Sequence, residues 1–136
     1  MKLLISLSFL FSLSAFAESY NLRVGDGITI CSEGFCLSQS GILQNIEIEI
    51  NEDGTGEYWL ARKIYDNREL DRYVAITKTD ESCLLTLGII WINNEKESSQ
   101  KSSITCEEFE RVKLEQVEHS NLINGTDYKA LISINL

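Results

Sequence analysis

Apolar and acidic residues alternate most regularly over residues 42–50, which read Ile-Leu-Gln-Asn-Ile-Glu-Ile-Glu-Ile. The last five have the two-residue period of a half-buried strand. Asn51-Glu52-Asp53-Gly54-Thr55-Gly56 follows with turn residues, and residues 57–65 resume with Tyr58-Trp59-Leu60-Ala61. The pattern predicts a β-hairpin. A two-residue turn at Asp53-Gly54 sets Ile48 opposite Trp59 and Ile46 opposite Ala61, so that Trp59 faces the core. A turn at Gly54-Thr55 keeps that parity and sets Glu47 opposite Arg62 on the outer face.

Further strands are predicted at 22–24, 28–31, 72–79, 83–92 and 128–134. The segment 83–92 is apolar on both parities, as in a strand covered on two sides. In the last segment Tyr128, Ala130, Ile132 and Ile134 share one face. Residues 93–103, Asn-Asn-Glu-Lys-Glu-Ser-Ser-Gln-Lys-Ser-Ser, read as a solvated loop. Segment 105–119 is double-natured. Thr105-Cys106-Glu107-Glu108 fits a helix capping box and Glu107 to Arg111 is a favourable helical pair. Yet Phe109, Val112, Leu114 and Val117 form no tight helical stripe, which favours a strand with a bulge near Arg111 over a short helix. Seven or eight short antiparallel strands give an all-β fold, a small up-and-down β-barrel or a β-sandwich. The barrel is preferred slightly, because the chain contains no proline to guard exposed strand edges.

The longest apolar run stands apart from this pattern. Lys2 precedes twelve residues rich in Leu, Phe and Ile, and Ala15-Phe16-Ala17 forms a small-x-small cleavage site. These are the parts of a secretory signal peptide over residues 1–17. Four serines and Glu18 make the run too short for a membrane span of ~20 apolar residues. Glu18, where a lipoprotein has cysteine, predicts a product without a membrane anchor. Residues 18–136 are expected to be one domain, exported to the periplasm or the extracellular space.

Export changes the reading of the four cysteines, since disulfides persist outside the cytoplasm. Of the three connectivities, Cys31 with Cys36 across Ser32-Glu33-Gly34-Phe35, and Cys83 with Cys106 across the polar segment, are favoured. The second bridge is worth ~3 kcal/mol by loop-closure entropy. A zinc site made of all four lacks paired short spacings. Composition narrows the partners. The chain has 12 basic and 21 acidic residues and a formal charge of −9. Loss of Lys2 with the signal leaves 11 basic residues and −10. That balance argues against nucleic acid and anionic membranes, and leaves a basic protein as a partner class.

Motifs for catalysis are absent: no phosphate loop, no metalloprotease histidine pair, no serine elbow. His119 is the single histidine. A triad using it with Asp127 and a serine is formally open, but Asn and Ser around it read as an exposed turn. A Cys-His nucleophile pair fails if every cysteine is bridged. The acidic pairs Glu47 and Glu49, Glu52 and Asp53, and Glu107 with Glu108 and Glu110 read as solvated rather than as glycosidase carboxylates. Oxygens at Asn51, Asp53, Thr55 and Glu57 resemble a calcium loop superficially, but the segment is too short. Asn124-Gly125-Thr126 is a glycosylation acceptor only in a eukaryotic secretory pathway. Neither metal nor cofactor is expected. The aromatics Trp59, Tyr58, Tyr65, Tyr73, Trp91 and Phe109 read first as core, and Trp59, Tyr58 and Trp91 are the candidates among them for contacting a ligand or partner. The expected function is non-catalytic binding of a small molecule or protein. The alternatives are an acidic inhibitor of a cationic, lysozyme-type hydrolase, where opposite charge would speed association, a secreted hydrolase, and an envelope-assembly subunit.

Overall fold

The computed structural model describes residues 18–41 and 43–136. The signal peptide expected over residues 1–17 lies outside the described residues. Two antiparallel five-stranded sheets pack face to face around one apolar core, an all-β, sandwich-like fold with no closed barrel. The first sheet is built on β1 (Ser19–Ser32), whose one edge carries β2 (Phe35–Ser40) and β3 (Gln44–Glu49) in succession. Its other edge pairs with β10 (Thr126–Asn135), which pairs with β9 (Leu114–Ile123). The second sheet repeats the plan on β6 (Arg68–Lys78). One edge takes β4 (Thr55–Trp59) and β5 (Lys63–Tyr65), and the other takes β7 (Cys83–Asn93), flanked by β8 (Lys96–Thr105). The helix α1 (Cys106–Val112) links β8 to β9.

Alternation decides what is inside. Leu85, Leu87, Ile89 and Trp91 from β7 meet Ala130, Ile132 and Ile134 from β10, with Val74 and Ile76 from β6 and Ile46 and Ile48 from β3. Two-residue turns with positive φ at both positions close four hairpins: Glu33-Gly34, Asp66-Asn67, Asn94-Glu95 and Asn124-Gly125. Such turns match the right-handed twist of the flanking strands. Both bridges form as expected, Cys31 with Cys36 and Cys83 with Cys106.

Three local expectations are corrected. Segment 93–103 is not a loop: the Asn94-Glu95 turn reverses the chain, and β8 then pairs with β7 along its whole length. Its backbone bonds supply the pairing, so a strand polar on both faces suffices there. Segment 105–119 is a helix and then a strand. The Thr105 hydroxyl accepts from the Glu108 backbone N–H at 3.1 Å, and Lys113 ends the helix in the left-handed region. Phe109 is its single buried residue. The helical ion pair is Glu108 with Arg111 at 3.5 Å.

The third correction concerns the hairpin. β3 pairs with β1 and β4 with β6, so the turn carries the chain from one sheet to the other. The Asn51 N–H donates to the Thr55 carbonyl, and the Gly54 N–H to the Asn51 carbonyl. That encloses three residues, Glu52, Asp53 and Gly54, with Gly54 at φ 87°. A third loop residue reverses the parity of everything after it. Gly56 and Tyr58 therefore turn inward, and Trp59 faces solvent, 46% exposed and stacked on Tyr73 with ring centroids 4.8 Å apart.

Candidate functional site

The two sheets meet differently along their two sides. On one side, side chains bridge β8 and β9: Ser98 Oγ lies 2.7 Å from His119 Nε2, and Ser102 Oγ donates to Glu115 Oε2 at 3.1 Å. On the other side, β2 pairs only with β1 and β5 only with β6. The sandwich is open there. A cleft of about 350 Å³ enters between Gln39, Ser40 and Gly41 on one rim and Lys63 and Tyr65 on the other, with Leu70 and Arg72 in its wall.

The strand β6 supplies the charged group. Arg68, Leu70, Arg72, Val74 and Ile76 are all inward and buried, so two arginines occupy core positions of an ordinary alternating strand. Arg72 is 2% exposed. Its Nη1 donates to Asp26 Oδ2, and its Nη2 donates to the Ala61 carbonyl at 2.8 Å. Its Nε has no hydrogen-bond partner. An unpaired buried donor on a charged group is costly, which makes the pairing of Arg72 with Asp26 and the Ala61 carbonyl the more necessary.

Asp26 is placed by a break in the sheet. β3 pairs with β1 up to Val24 and β2 begins pairing at Gly27, so Asp26 lies between them, facing inward. Gly41 passes close over it, donating its N–H to the Asp26 carbonyl at 2.6 Å. A Cβ at residue 41 would fall 1.5 Å from Asp26 Oδ1, so the crossing needs glycine. Lys63 Nζ stands 3.9 Å from the same Asp26 oxygen that faces Arg72. Two cations thus share one carboxylate, leaving a net positive charge in the cleft of a strongly acidic chain. Tyr65 completes the rim. Burial raises its pKa, with Arg72 opposing and Asp26 assisting, so at neutral pH it is a phenol able to donate.

Arg68 has a different task. Its Nη2 donates to the Ile123 and Thr126 carbonyls at 3.2 and 3.4 Å, tying the β9–β10 turn to β6. Its guanidinium sits 4.0 Å from the centroid of Tyr128, a cation–π contact. Tyr65, Trp91 and Tyr128 form a triangle with centroids 5.9–6.3 Å apart.

The three aromatics singled out from sequence are not brought together. Trp91 is fully buried and donates its Nε1–H to the His119 carbonyl at 3.0 Å. Trp59 is on the outer face of the second sheet. Tyr58 alone approaches the cleft, through a hydrogen bond from Gln44 Nε2 to its hydroxyl. The acids Glu47 and Glu49 are exposed. Asp53 accepts from the Thr55 hydroxyl and N–H at 2.7 and 3.0 Å, which closes the turn and lowers its pKa. His119 has a serine partner in Ser98, but Asp127 is on the opposite face of the sheet, because His119 pairs with Ala130 and Asp127 with Leu122. Among the described residues no group of acids, histidines or cysteines is arranged to hold a metal ion, and no helix is long and apolar enough to cross a membrane.

No family model matches the chain, and no curated protein sequence does. Among solved structures the chain is similar to the crystal structure of the ywiB protein from Bacillus subtilis, with 8% identity and a TM-score of 0.31 over 90% of this chain and 96% of that one.

Proposed function

We propose that this is an exported, non-catalytic binding protein whose open-edge cleft holds a small ligand through a carboxylate or a similar anionic group. The buried guanidinium of Arg72 in the cleft wall, sharing its one carboxylate with Lys63, carries this reading. Lys63 adds a cation at the rim, and Tyr65 and Gln39 add hydrogen-bonding groups. Export is supported by the signal-like pattern of residues 1–17 and by the two disulfides. The inhibitor reading has only the formal charge behind it. A hydrolase reading would need a carboxylate behind His119, where Asp127 does not stand.

The test is a thermal-shift and native mass-spectrometry screen of the oxidised protein against small mono- and dicarboxylates, each paired with its neutral amide. A ligand present at ~100 times its dissociation constant stabilises by about 2.7 kcal/mol. The carboxylates should raise the melting temperature and the amides should not. Lys63→Gln, at a half-exposed position, should weaken the shift without harming the fold. Equal shifts for acids and amides, or none with any acid, would overturn the reading.

A further inference from the structure

We infer that the Cys31–Cys36 bridge is a thiol–disulfide exchange site, opened and closed by a dithiol partner while the sandwich stays folded, and that Cys83–Cys106 is the permanent staple.

The two bridges have opposite surroundings. Cys83 and Cys106 both pack against the apolar core, where the Tyr20 hydroxyl lies 3.6 Å from Cys83 Sγ and Cys106 shares the wall of a small cavity with Leu85 and Phe109. Cys31 and Cys36 take no part in that core. The two-residue period that turns Leu22, Val24 and Ile28 inward sets both of them on the outer face of the first sheet. Cys36 is exposed, as is all of β2, which has β1 as its only neighbour in the sheet. An attacking thiolate must reach a sulfur along the S–S axis, and exposed bridges are the ones that exchange.

The hairpin holds its shape without the bridge. Cys31 and Cys36 face each other with Cα atoms 4.1 Å apart, the short spacing of a non-hydrogen-bonded antiparallel pair. The ladder bonds of Ser32 with Phe35 and of Ile30 with Leu37 therefore flank them, and Glu33-Gly34 supplies the positive φ that the tip needs. A bridge between residues 5 apart in sequence removes little freedom from the unfolded chain, whereas one between residues 23 apart removes more. As a staple the first bridge is redundant with its own hairpin. As a redox pair it is well placed, because the same ladder keeps the two sulfurs side by side after reduction. Exchange runs in two steps. A thiolate of the dithiol attacks Cys36 Sγ, which breaks the Cys31–Cys36 bond, forms a mixed disulfide and releases Cys31 as a thiolate that takes up a proton. The partner's second thiolate then attacks the partner sulfur of that mixed disulfide and releases Cys36, which is protonated in turn. Two electrons pass to the protein and the partner leaves as a disulfide. An oxidised partner reverses both steps.

Graded dithiothreitol, quenched with excess N-ethylmaleimide, tests this on the folded protein with both bridges formed. Peptide mass spectrometry should find Cys31 and Cys36 alkylated at a dithiol concentration at least ~10-fold below that needed for Cys83 and Cys106. Near-ultraviolet circular dichroism should keep its folded signature at that point. Backbone amides of β2 should then exchange with deuterium faster, and those of β9 at an unchanged rate. Removing the reductant in air should restore Cys31–Cys36 with no crossed pairing. Cys31→Ser, which leaves the exposed Cys36 as a thiol, should form a mixed disulfide with oxidised glutathione faster than Cys36→Ser, which leaves the half-buried Cys31. Reduction of both bridges together, earlier loss of Cys83–Cys106, or opening of Cys31–Cys36 only when the protein unfolds overturns the inference.

Discussion

Removing the carboxylate of Asp26 should expose how much of the fold depends on neutralising Arg72. In Asp26→Ala the guanidinium keeps the Ala61 carbonyl but loses its charged partner, at a site where Arg72 is 2% and Asp26 12% exposed. Water can do little to screen it there. Breaking a buried pair from one side costs about 3–5 kcal/mol. At roughly 4 °C per kcal/mol for a domain of this length, the melting temperature should fall by roughly 12–20 °C. Arg72→Met should cost less, about 1–3 kcal/mol, because the carboxylate left behind retains Lys63 at 3.9 Å and some solvent. The double variant should be more stable than the sum of the two losses implies, by about 1–3 kcal/mol, since neither charge is then stranded. Urea unfolding followed by near-ultraviolet circular dichroism measures all three. Formate or acetate should restore part of the stability of Asp26→Ala, by occupying the vacated carboxylate position, and should do nothing for the double variant. Strict additivity, or equal rescue of both variants, would refute the reasoning.

The reversed parity of β4 predicts unequal tryptophans. Trp91→Ala should cost about 3–5 kcal/mol as a large core truncation, while Trp59→Ala should cost about 0.5–1.5 kcal/mol, the worth of its stacking on Tyr73. Acrylamide should quench Trp59 in Trp91→Phe and leave Trp91 in Trp59→Phe nearly untouched, and the opposite order would return Trp59 to the core. Tyr65 gives an alkaline signature. Burial disfavours its phenolate in the folded state, so the folded pKa lies above the unfolded one. The stability tied to its neutral form is complete below the unfolded value and is lost as pH rises through the folded one. Wild-type stability should therefore decline relative to Tyr65→Phe on the alkaline limb. A difference independent of pH there would exclude the assigned burial.

Much of the fold was legible because β-structure writes a short-period signal. The alternation of β10, the apolar run of β7 and the spacing of the cysteines each led to the observed element or bridge. The failures have a common physical origin: parity and pairing depend on single turn residues rather than on the strands themselves. Enclosing Glu52 as well as Asp53 and Gly54 converts a two-residue turn into a three-residue one and turns Trp59 outward. Gly54 also explains why that turn is the one adopted. Its carbonyl accepts from the Lys78 N–H at 2.7 Å, and a Cβ at residue 54 would fall 2.1 Å from the Lys78 carbonyl oxygen. The turn is chosen by its packing on the end of β6, a contact invisible in the local sequence. β8 was hidden for a related reason. An edge strand supported by backbone pairing needs no apolar face, and a run of Ser, Gln and Lys therefore looks like a loop.

The cleft was less legible, and the signal it did leave is instructive. Arg68 and Arg72 stand in phase with Leu70, Val74 and Ile76, so the two-residue period itself places both arginines inside. A charge at an inward position calls for either a local break in the strand or a buried partner. β6 pairs with β7 from Glu69 to Lys78 with no residue skipped, which excludes a break there. The partner of Arg72 is 46 residues away in sequence, on a different sheet, in a gap that exists only because two short strands share one edge of β1. No local pattern marks Asp26 as that partner. The same gap keeps the sandwich open beside Arg72, since β2 and β3 cannot continue as one strand across it. Fold and candidate site therefore share one cause: the interruption that admits Asp26 to the core also leaves the cleft that has Arg72 in its wall.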